Sequence, residues 1–192
     1  MNAAVKPFLM VVEDVFVLRQ GRVVRATGRI ERGRVRTADQ LEIVGFGGGV
    51  VTRVAGIEEC RRRIEVADAG MNVGLLLSGV TTRAVERGQV LATPGSIAAH
   101  LAFDAEMVLL PEDQGGAEVC SGADLDFFLH AGAVRGRVTL SHGMVTLHPL
   151  HLATVAVTLE RPVALERGRT FAFRHHGRAA GSGTVTRLRT LP

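Results

Sequence analysis

Short runs of apolar and β-branched residues alternate with glycine-containing turns along almost the entire chain. In residues 153–160, apolar and polar positions alternate with a period of two, as in a β-strand that buries one face. Similar runs recur at a spacing of about 8–12 residues, which is typical of β-barrels and β-sandwiches. They lie at residues 7–18, 22–30, 40–44, 50–57, 73–77, 89–92, 101–110, 125–130, 134–140, 170–174 and 183–188. No window of about 12 residues has the 3.6-residue period of an amphipathic helix.

A turn-rich and nearly uncharged segment, residues 93–100, lies near the midpoint of the 192-residue chain. This length is sufficient for two small domains. We therefore place a domain boundary in this segment, with one β-barrel at residues 1–97 and a second at residues 98–192. The predicted fold class is all-β, with two tandem β-barrels.

Lysine usage excludes a large class of nucleotide-binding functions. Lys6 is the only lysine among 23 lysine and arginine residues. A phosphate-binding loop needs the run G-x-x-x-x-G-K-[ST], and no glycine precedes Lys6. We therefore predict that the chain binds neither GTP nor GDP. The formal net charge of +4 is compatible with a nucleic-acid partner. The absence of Trp and Tyr argues against an aromatic stacking platform for single strands.

The cysteines and the hydropathy pattern indicate a cytoplasmic protein. Cys60 and Cys120 form no C-x-x-C pair, so we expect neither a disulfide framework nor a structural zinc site. This cysteine usage fits a reducing cytoplasm. The chain has no run of 18 apolar residues, so we expect no membrane span.

The candidate catalytic and metal-ligating residues are isolated from suitable partners in the sequence. His148 with His151, and His175 with His176, lack a third ligand at a supporting spacing, so surface histidines are the simpler interpretation. The pair 141–142, Ser-His, has no G-x-S-x-G turn to expose a nucleophile. We therefore expect no catalytic residue, no metal and no cofactor, and we predict that the protein is not an enzyme.

Several motifs in the first half resemble the second domain of bacterial elongation factor Tu. They lie at residues 6–9, 13–16, 21–22, 27–33, 41–45, 56–58, 69–77 and 86–95. The third domain of that family is matched by residues 103–106, 112–116, 161–164, 168–174 and 177–183. The matches are collinear and span nearly the whole chain, and the resemblance implies the same pair of β-barrels.

The resemblance implies that the first barrel binds the 3′ end of aminoacyl-tRNA. Phe16 would form an apolar wall for the aminoacyl side chain, although a place in the barrel core is an equal alternative. Glu58 would lie along the terminal adenine, and Arg61 would pair with a phosphate. The matching residues are Glu13, Asp14, Phe16, Thr27, Glu58, Arg61 and Asn72.

The sequence departs from the family beside this expected site. Cys60 replaces a Phe or His, and Val23 stands where the family has a second glycine. The stretch between Phe16 and Gly21 is about one residue longer than in the family. Residues 58–63 form a charge run that is typical of a solvated loop. Within it, Arg62 and Arg63 are further candidate phosphate contacts.

The third-domain match departs further, because residues 117–132 contain no Arg or Lys. The segment gains the acidic residues Glu118, Asp124 and Asp126, and each lost phosphate contact weakens tRNA binding. We therefore expect weak, salt-sensitive tRNA binding in the first barrel. Alternation places the side chains of Phe127 and Leu129 in the core. It leaves Phe128 on the outer face as a candidate partner interface.

The family's GTPase domain would precede Lys6, and only five residues do. We therefore expect a stand-alone relative without a GTPase domain, most simply a monomer, that binds the aminoacylated 3′ end of tRNA. The alternative is a diverged protein-interaction module that binds a translation factor or a separate GTPase without binding tRNA. A preference for charged over uncharged tRNA at low salt distinguishes the two hypotheses.

Overall fold

A computed structural model describes residues 6–18, 23–47, 49–141 and 143–189. Within these ranges the chain forms 18 β-strands and two single turns of 3-10 helix, at Thr82–Ala84 and Glu112–Gln114. The all-β prediction is therefore confirmed. The chain divides into two compact units after Ala98. No helix in the described ranges is long and apolar enough to cross a membrane.

The first unit is built around a closed six-stranded β-barrel. Its strands are β1 Leu9–Val11, β2 Asp14–Leu18, β3 Val23–Arg32, β4 Arg34–Arg36, β5 Gln40–Val44, β6 Val50–Glu59, β7 Arg62–Ile64, β8 Val66–Asp68, β9 Asn72–Ser78 and β10 Val90–Ala92. The barrel runs β1-β10-β5-β6-β9-β3 and closes through the pairing of β3 with β1. Strands β2 and β7 extend the sheet beside β3 and β6, and β4 pairs with β8.

Alternation along β3 separates the core of this barrel from its outer face. Val24, Ala26 and Ile30 are buried in the core, whereas Arg25 and Thr27 are partly exposed. Successive side chains of a strand point to opposite faces, so Arg25 and Thr27 share the outer face. The barrel closes tightly beside Gly28, where a Cβ atom would overlap the carbonyl oxygen of Val11.

The second unit is a closed six-stranded β-barrel with a small two-stranded sheet. Its strands are β11 Ala98–Leu109, β12 Val119–Cys120, β13 Asp124–Phe128, β14 Ala133–Leu140, β15 Thr146–Leu147, β16 Leu152–Leu165, β17 Thr170–His175 and β18 Arg178–Arg189. The barrel order is β11-β16-β14-β13-β17-β18, and β12 pairs with β15.

Aromatic side chains fill much of the second core. The Phe127 ring lies edge-on to Phe103 and Phe171, with ring centroids 6.3 and 5.6 Å away, and 6.3 Å from Phe173. All four phenylalanine side chains are buried. Aromatic pairs at these separations add about 0.5–1.5 kcal/mol beyond area burial.

Two predicted elements differ from the structure. The single strand predicted at residues 7–18 divides into β1 and β2, because the chain changes partners between them: the Val12 N–H donates to the Gln89 carbonyl, and the Glu13 N–H donates to the Thr27 carbonyl. The turn-rich segment 93–100 is shorter than expected, since β11 already begins at Ala98. Glu13 and Asp14 interrupt the apolar run at the point where the strand divides.

Candidate functional site

Five antiparallel strands place one row of residues across the outer face of the first barrel. The pairings β2–β3, β3–β9, β9–β6 and β6–β7 align successive partners in this row. The row consists of Asp14, Thr27, Gly74, Glu58 and Arg63. Sheet register therefore brings together positions that are separated by up to 60 residues in the sequence, from Asp14 to Gly74.

A cavity of about 200 Å3, here called the polar cavity, lies at this row. Four of the residues predicted from the resemblance line it, and Cys60 lies at its edge. Its lining consists of Glu13, Arg25, Thr27, Gly28, Glu58, Cys60, Asn72, Val73 and Gly74. The structure therefore collects Glu13, Thr27, Glu58 and Asn72 into one site, with two carboxylates, a hydroxyl and an amide.

Asp14 lies beside the polar cavity rather than in its lining. Its side chain is exposed, and its carbonyl oxygen accepts a hydrogen bond from the Thr27 hydroxyl at 3.4 Å. The Glu13 N–H donates to the Thr27 carbonyl at 2.8 Å. These two bonds fix the turn before β2 against β3, and they hold Glu13 at the mouth of the cavity.

Phe16 is not a core residue, so the core alternative is wrong. Its side chain is 46% exposed, and it lies opposite Arg25 in the β2–β3 pairing. The Arg25 guanidinium carbon is 5.9 Å from the centroid of the Phe16 ring, within the range of a cation–π contact. Phe16 thus reaches the polar cavity only through Arg25.

Arg25 was not among the residues predicted for this site. Its Nε lies 3.3 Å from Oε2 of Glu58, but the N–H is not aligned for a hydrogen bond to any described residue. The sequence does contain a signal for its position, because Arg25 precedes Thr27 by two residues in a strand. A period of two places both side chains on one face.

The interpretation of residues 58–63 as a solvated loop is wrong. Strands β6 and β7 form a tight hairpin, in which Glu58 pairs with Arg63 and Glu59 with Arg62. Cys60 and Arg61 form its two-residue turn, with φ angles of 47° and 67°. Positive φ at both central positions is the signature of a type I′ turn, whose twist matches the flanking strands.

The hairpin separates the three candidate phosphate-binding arginines. Arg61 and Arg62 are exposed at its tip and do not line the polar cavity. Arg63 folds back over the sheet, where a Cβ on Gly56 would come within 3.0 Å of its Nη1. The pattern of three consecutive arginines could not show this difference, because it arises from the strand pairing.

Arg63 lines a second cavity of about 400 Å3, here called the apolar cavity. Most of its wall is hydrophobic, and its lining consists of Leu18, Val23, Ala55, Glu58, Arg63 and Leu76. Glu58 lines both cavities, so the two share a carboxylate at their boundary. Val23, which departs from the family pattern, forms part of the apolar wall. Residues 19 and 20 of the lengthened stretch lie outside the described ranges.

In the second barrel, arginine and histidine side chains pair with two of the acidic residues in 117–132. Asp124 accepts a hydrogen bond from Arg137 Nε at 3.0 Å and lies 3.9 Å from Arg135 Nη2. The hydrogen bond from Arg137 holds the pKa of Asp124 below its ordinary value. Glu118 contacts Nδ1 of His148 at 2.7 Å.

The predicted alternation at residues 127–129 is confirmed. Phe127 and Leu129 are buried, whereas Phe128 is partly exposed. The Arg174 guanidinium carbon lies 5.0 Å from the Phe128 ring centroid and covers part of it. The role of Phe128 as a partner interface stays a prediction.

The histidine pairs are close in space but do not form larger ligand clusters. The His148 and His151 ring centroids are 6.1 Å apart, and those of His175 and His176 are 4.0 Å apart. Burial, and secondarily the charge of His176, lowers the pKa of His175. Across the described ranges, no three His, Cys, Asp or Glu residues are arranged to hold a metal ion. His142 of the Ser-His pair lies outside these ranges.

Family comparisons assign each barrel separately. The family model for elongation factor Tu domain 2 matches residues 24–92. The model for the elongation factor Tu C-terminal domain matches residues 96–189. Together the two matches cover most of both barrels, leaving out β1 and β2, in the order that the sequence motifs predict.

Proposed function

Because the chain belongs to the elongation factor Tu family and carries its domain 2 and C-terminal domain, we propose that its first barrel binds the 3′ end of aminoacyl-tRNA. The observation that supports this most directly is the pair of adjoining cavities that share Glu58. One cavity is lined mainly by polar side chains, and the other by four hydrophobic residues with Glu58 and Arg63, which suits an aminoacyl ester joined to a nucleobase.

The apolar cavity suits the terminal adenine. Leu18, Val23 and Leu76 offer hydrophobic walls for the faces of a planar base. Its volume of about 400 Å3 is within the range of small-molecule sites. Glu58 stands at the edge of this cavity, where a carboxylate can accept hydrogen bonds from the amino or hydroxyl groups of adenosine.

The polar cavity suits the aminoacyl group. Glu13 supplies a negative charge for the α-ammonium group, and such charge-assisted hydrogen bonds are stronger than neutral ones. Thr27 and Asn72 supply a hydroxyl and an amide for the ester oxygens. This arrangement favours an aminoacylated over an unacylated 3′ end, because only the aminoacylated end places an ammonium group beside Glu13.

The hairpin tip supplies the phosphate contacts in this proposal. Arg61 and Arg62 are exposed next to Glu59, at the end of the strand that carries Glu58. Few phosphate contacts give weak binding that added salt weakens further, although with a smaller slope than a larger basic surface would give. In the second barrel, Asp124 carries negative charge beside Arg135 and Arg137, so we expect this barrel to add little affinity for RNA.

A gel-shift titration at low salt tests the proposal with charged and uncharged forms of one tRNA. We expect the charged form to bind more tightly and Arg61→Ala to weaken binding. The matched control is Arg36→Ala, which removes one exposed arginine from β4, outside both cavities. Asp124→Ala in the second barrel should leave binding unchanged. Equal binding of both tRNA forms, or an unchanged affinity in Arg61→Ala, contradicts the proposal.

The alternative is a protein-interaction module that binds a translation factor or a separate GTPase. The observation in its favour is a set of exposed apolar residues in the second barrel: Met144, Val145, Leu150 and Leu152, the last three at least 64% exposed. This function gains support if the purified chain shows no preference for charged tRNA and binds a purified translation factor. Val145→Glu should then abolish factor binding, whereas Arg61→Ala should not.

We further propose that the protein is a monomer. Arg174 covers part of Phe128, and the charged pair Asp126 and Arg135 lies two residues along the paired strands β13 and β14, on the same face. Analytical ultracentrifugation at micromolar concentration should give the mass of one 20.5-kDa chain. A dimer mass that Phe128→Glu abolishes would show that this face is an interface.

A further inference from the structure

Arg25 places a cation in the lining of the polar cavity, beside Glu58, which the proposed function already employs. Its neighbours are the Phe16 ring on one strand and Glu58 on another. The side chain is about one-third exposed, so a ligand in the cavity can reach it. Neither the predicted roles nor the proposed contacts with the α-ammonium group, the ester and the adenine use this guanidinium.

The fold holds Arg25 in position. A Cβ atom on Gly74 would lie 2.5 Å from Nε and 3.2 Å from Cζ and Nη2 of Arg25. The glycine therefore makes room for the guanidinium to lie along the backbone of β9. Contact with Phe16 and Gly74 restricts the side chain before a ligand arrives, which reduces the entropy cost of binding.

The hydrogen-bonding capacity of Arg25 is largely unused within the described ranges. A guanidinium carries five N–H donors in a planar fork that matches a carboxylate. Glu58 is close enough to form an ion pair but lacks hydrogen-bond alignment with Nε, and this nitrogen is buried without an acceptor. Because Nε is buried while 31% of the side chain is exposed, a ligand carboxylate that enters the cavity would accept hydrogen bonds from the terminal Nη groups.

We infer that Arg25 makes the polar cavity selective for acidic aminoacyl groups, namely aspartyl and glutamyl esters. The inference rests on the proposed function, in which Glu13 binds the α-ammonium group and the aminoacyl side chain occupies the same cavity. An acidic side chain then forms a charge-assisted pair with Arg25, whereas its amide counterpart has the same shape but lacks the charge. The phosphates lie outside the cavity, at Arg61 and Arg62.

The test compares three short RNAs that end in CCA, measured by fluorescence anisotropy. One carries glutamate at the 3′ end through a stable amide, one carries glutamine in the same linkage, and one is unacylated. We expect the wild-type chain to bind the glutamyl RNA about tenfold more tightly than the glutaminyl RNA, as one hydrogen bond to a charged group implies. Arg25→Gln should abolish this ratio.

Arg36→Gln is the matched control, because it removes the same charge from an exposed position outside the cavity and should preserve the ratio. The ratio of the two affinities is measured on the wild-type chain, so it tests the selectivity for acidic aminoacyl groups even if Arg25→Gln fails to fold. Equal binding of the two acylated RNAs overturns the inference but retains the proposed function, provided that both bind better than the unacylated RNA. Equal binding of all three RNAs overturns both.

Discussion

Replacing Phe127 with alanine tests the core of the second barrel more sharply than any surface change. Phe127 is completely buried, and its ring has Phe103, Phe171 and Phe173 within 6.3 Å. Truncation would remove a ring from the centre of this cluster and leave a cavity that three other rings cannot fill without leaving their rotamers.

The expected loss is about 3–5 kcal/mol, the usual cost of a buried Phe→Ala substitution. A domain of this size is stabilised by about 5–15 kcal/mol in total, so the substitution removes a large share of the stability of the second barrel. Each kcal/mol lowers the melting temperature of such a domain by roughly 4–8 °C. We therefore expect the transition of the second barrel to fall by at least about 12 °C.

Phe128→Ala is the matched control on the same strand. Phe128 is partly exposed, and the main contact that its ring loses is the cation–π contact with Arg174. Such a contact is worth about 0.5–1 kcal/mol at an exposed site, so this variant should lose only a few degrees. The two substitutions remove the same atoms, and only the side of the sheet differs.

Differential scanning calorimetry is the suitable assay, because the chain has no Trp or Tyr to report unfolding by fluorescence. Calorimetry also resolves the two barrels if they unfold separately. Equal losses for the two variants, or a larger loss for Phe128→Ala, would refute the burial pattern that β13 imposes.

Three further predictions concern the backbone and the response to pH. Gly28→Ala should destabilise the first barrel by about 3 kcal/mol in urea titrations, because the new Cβ meets the rigid carbonyl of Val11. Leu150→Gly should stabilise the second barrel by about 1 kcal/mol in the same assay, because Leu150 is exposed and has a left-handed φ of 65°. The lowered pKa of His175 means that the unfolded chain binds a proton more readily than the fold does. Stability should therefore fall as the pH decreases below about 6.5, and His175→Asn should reduce this dependence, as pH-resolved thermal melts can show.

The sequence by itself determines that the chain is all-β and which face of many strands is buried, because a period of two records that face. The runs at residues 40–44 and 134–140, for example, coincide with β5 and nearly with β14. Alternation likewise predicts that Phe127 is buried and Phe128 is not. Short strands such as β4, β8 and β12 escape this reasoning, since two or three residues cannot display a period.

The geometry of the site cannot be predicted from periodicity, because its residues meet through pairing between strands that are distant in the chain. Motif matching identifies Glu13, Thr27, Glu58 and Asn72, and register then places them around one cavity. A period of two places Arg25 on the same face as Thr27, but only the tertiary structure shows which side chains it meets there. Its neighbours Phe16, Gly74 and Glu58 belong to three other strands, and sequence periodicity contains no information about which strands become neighbours.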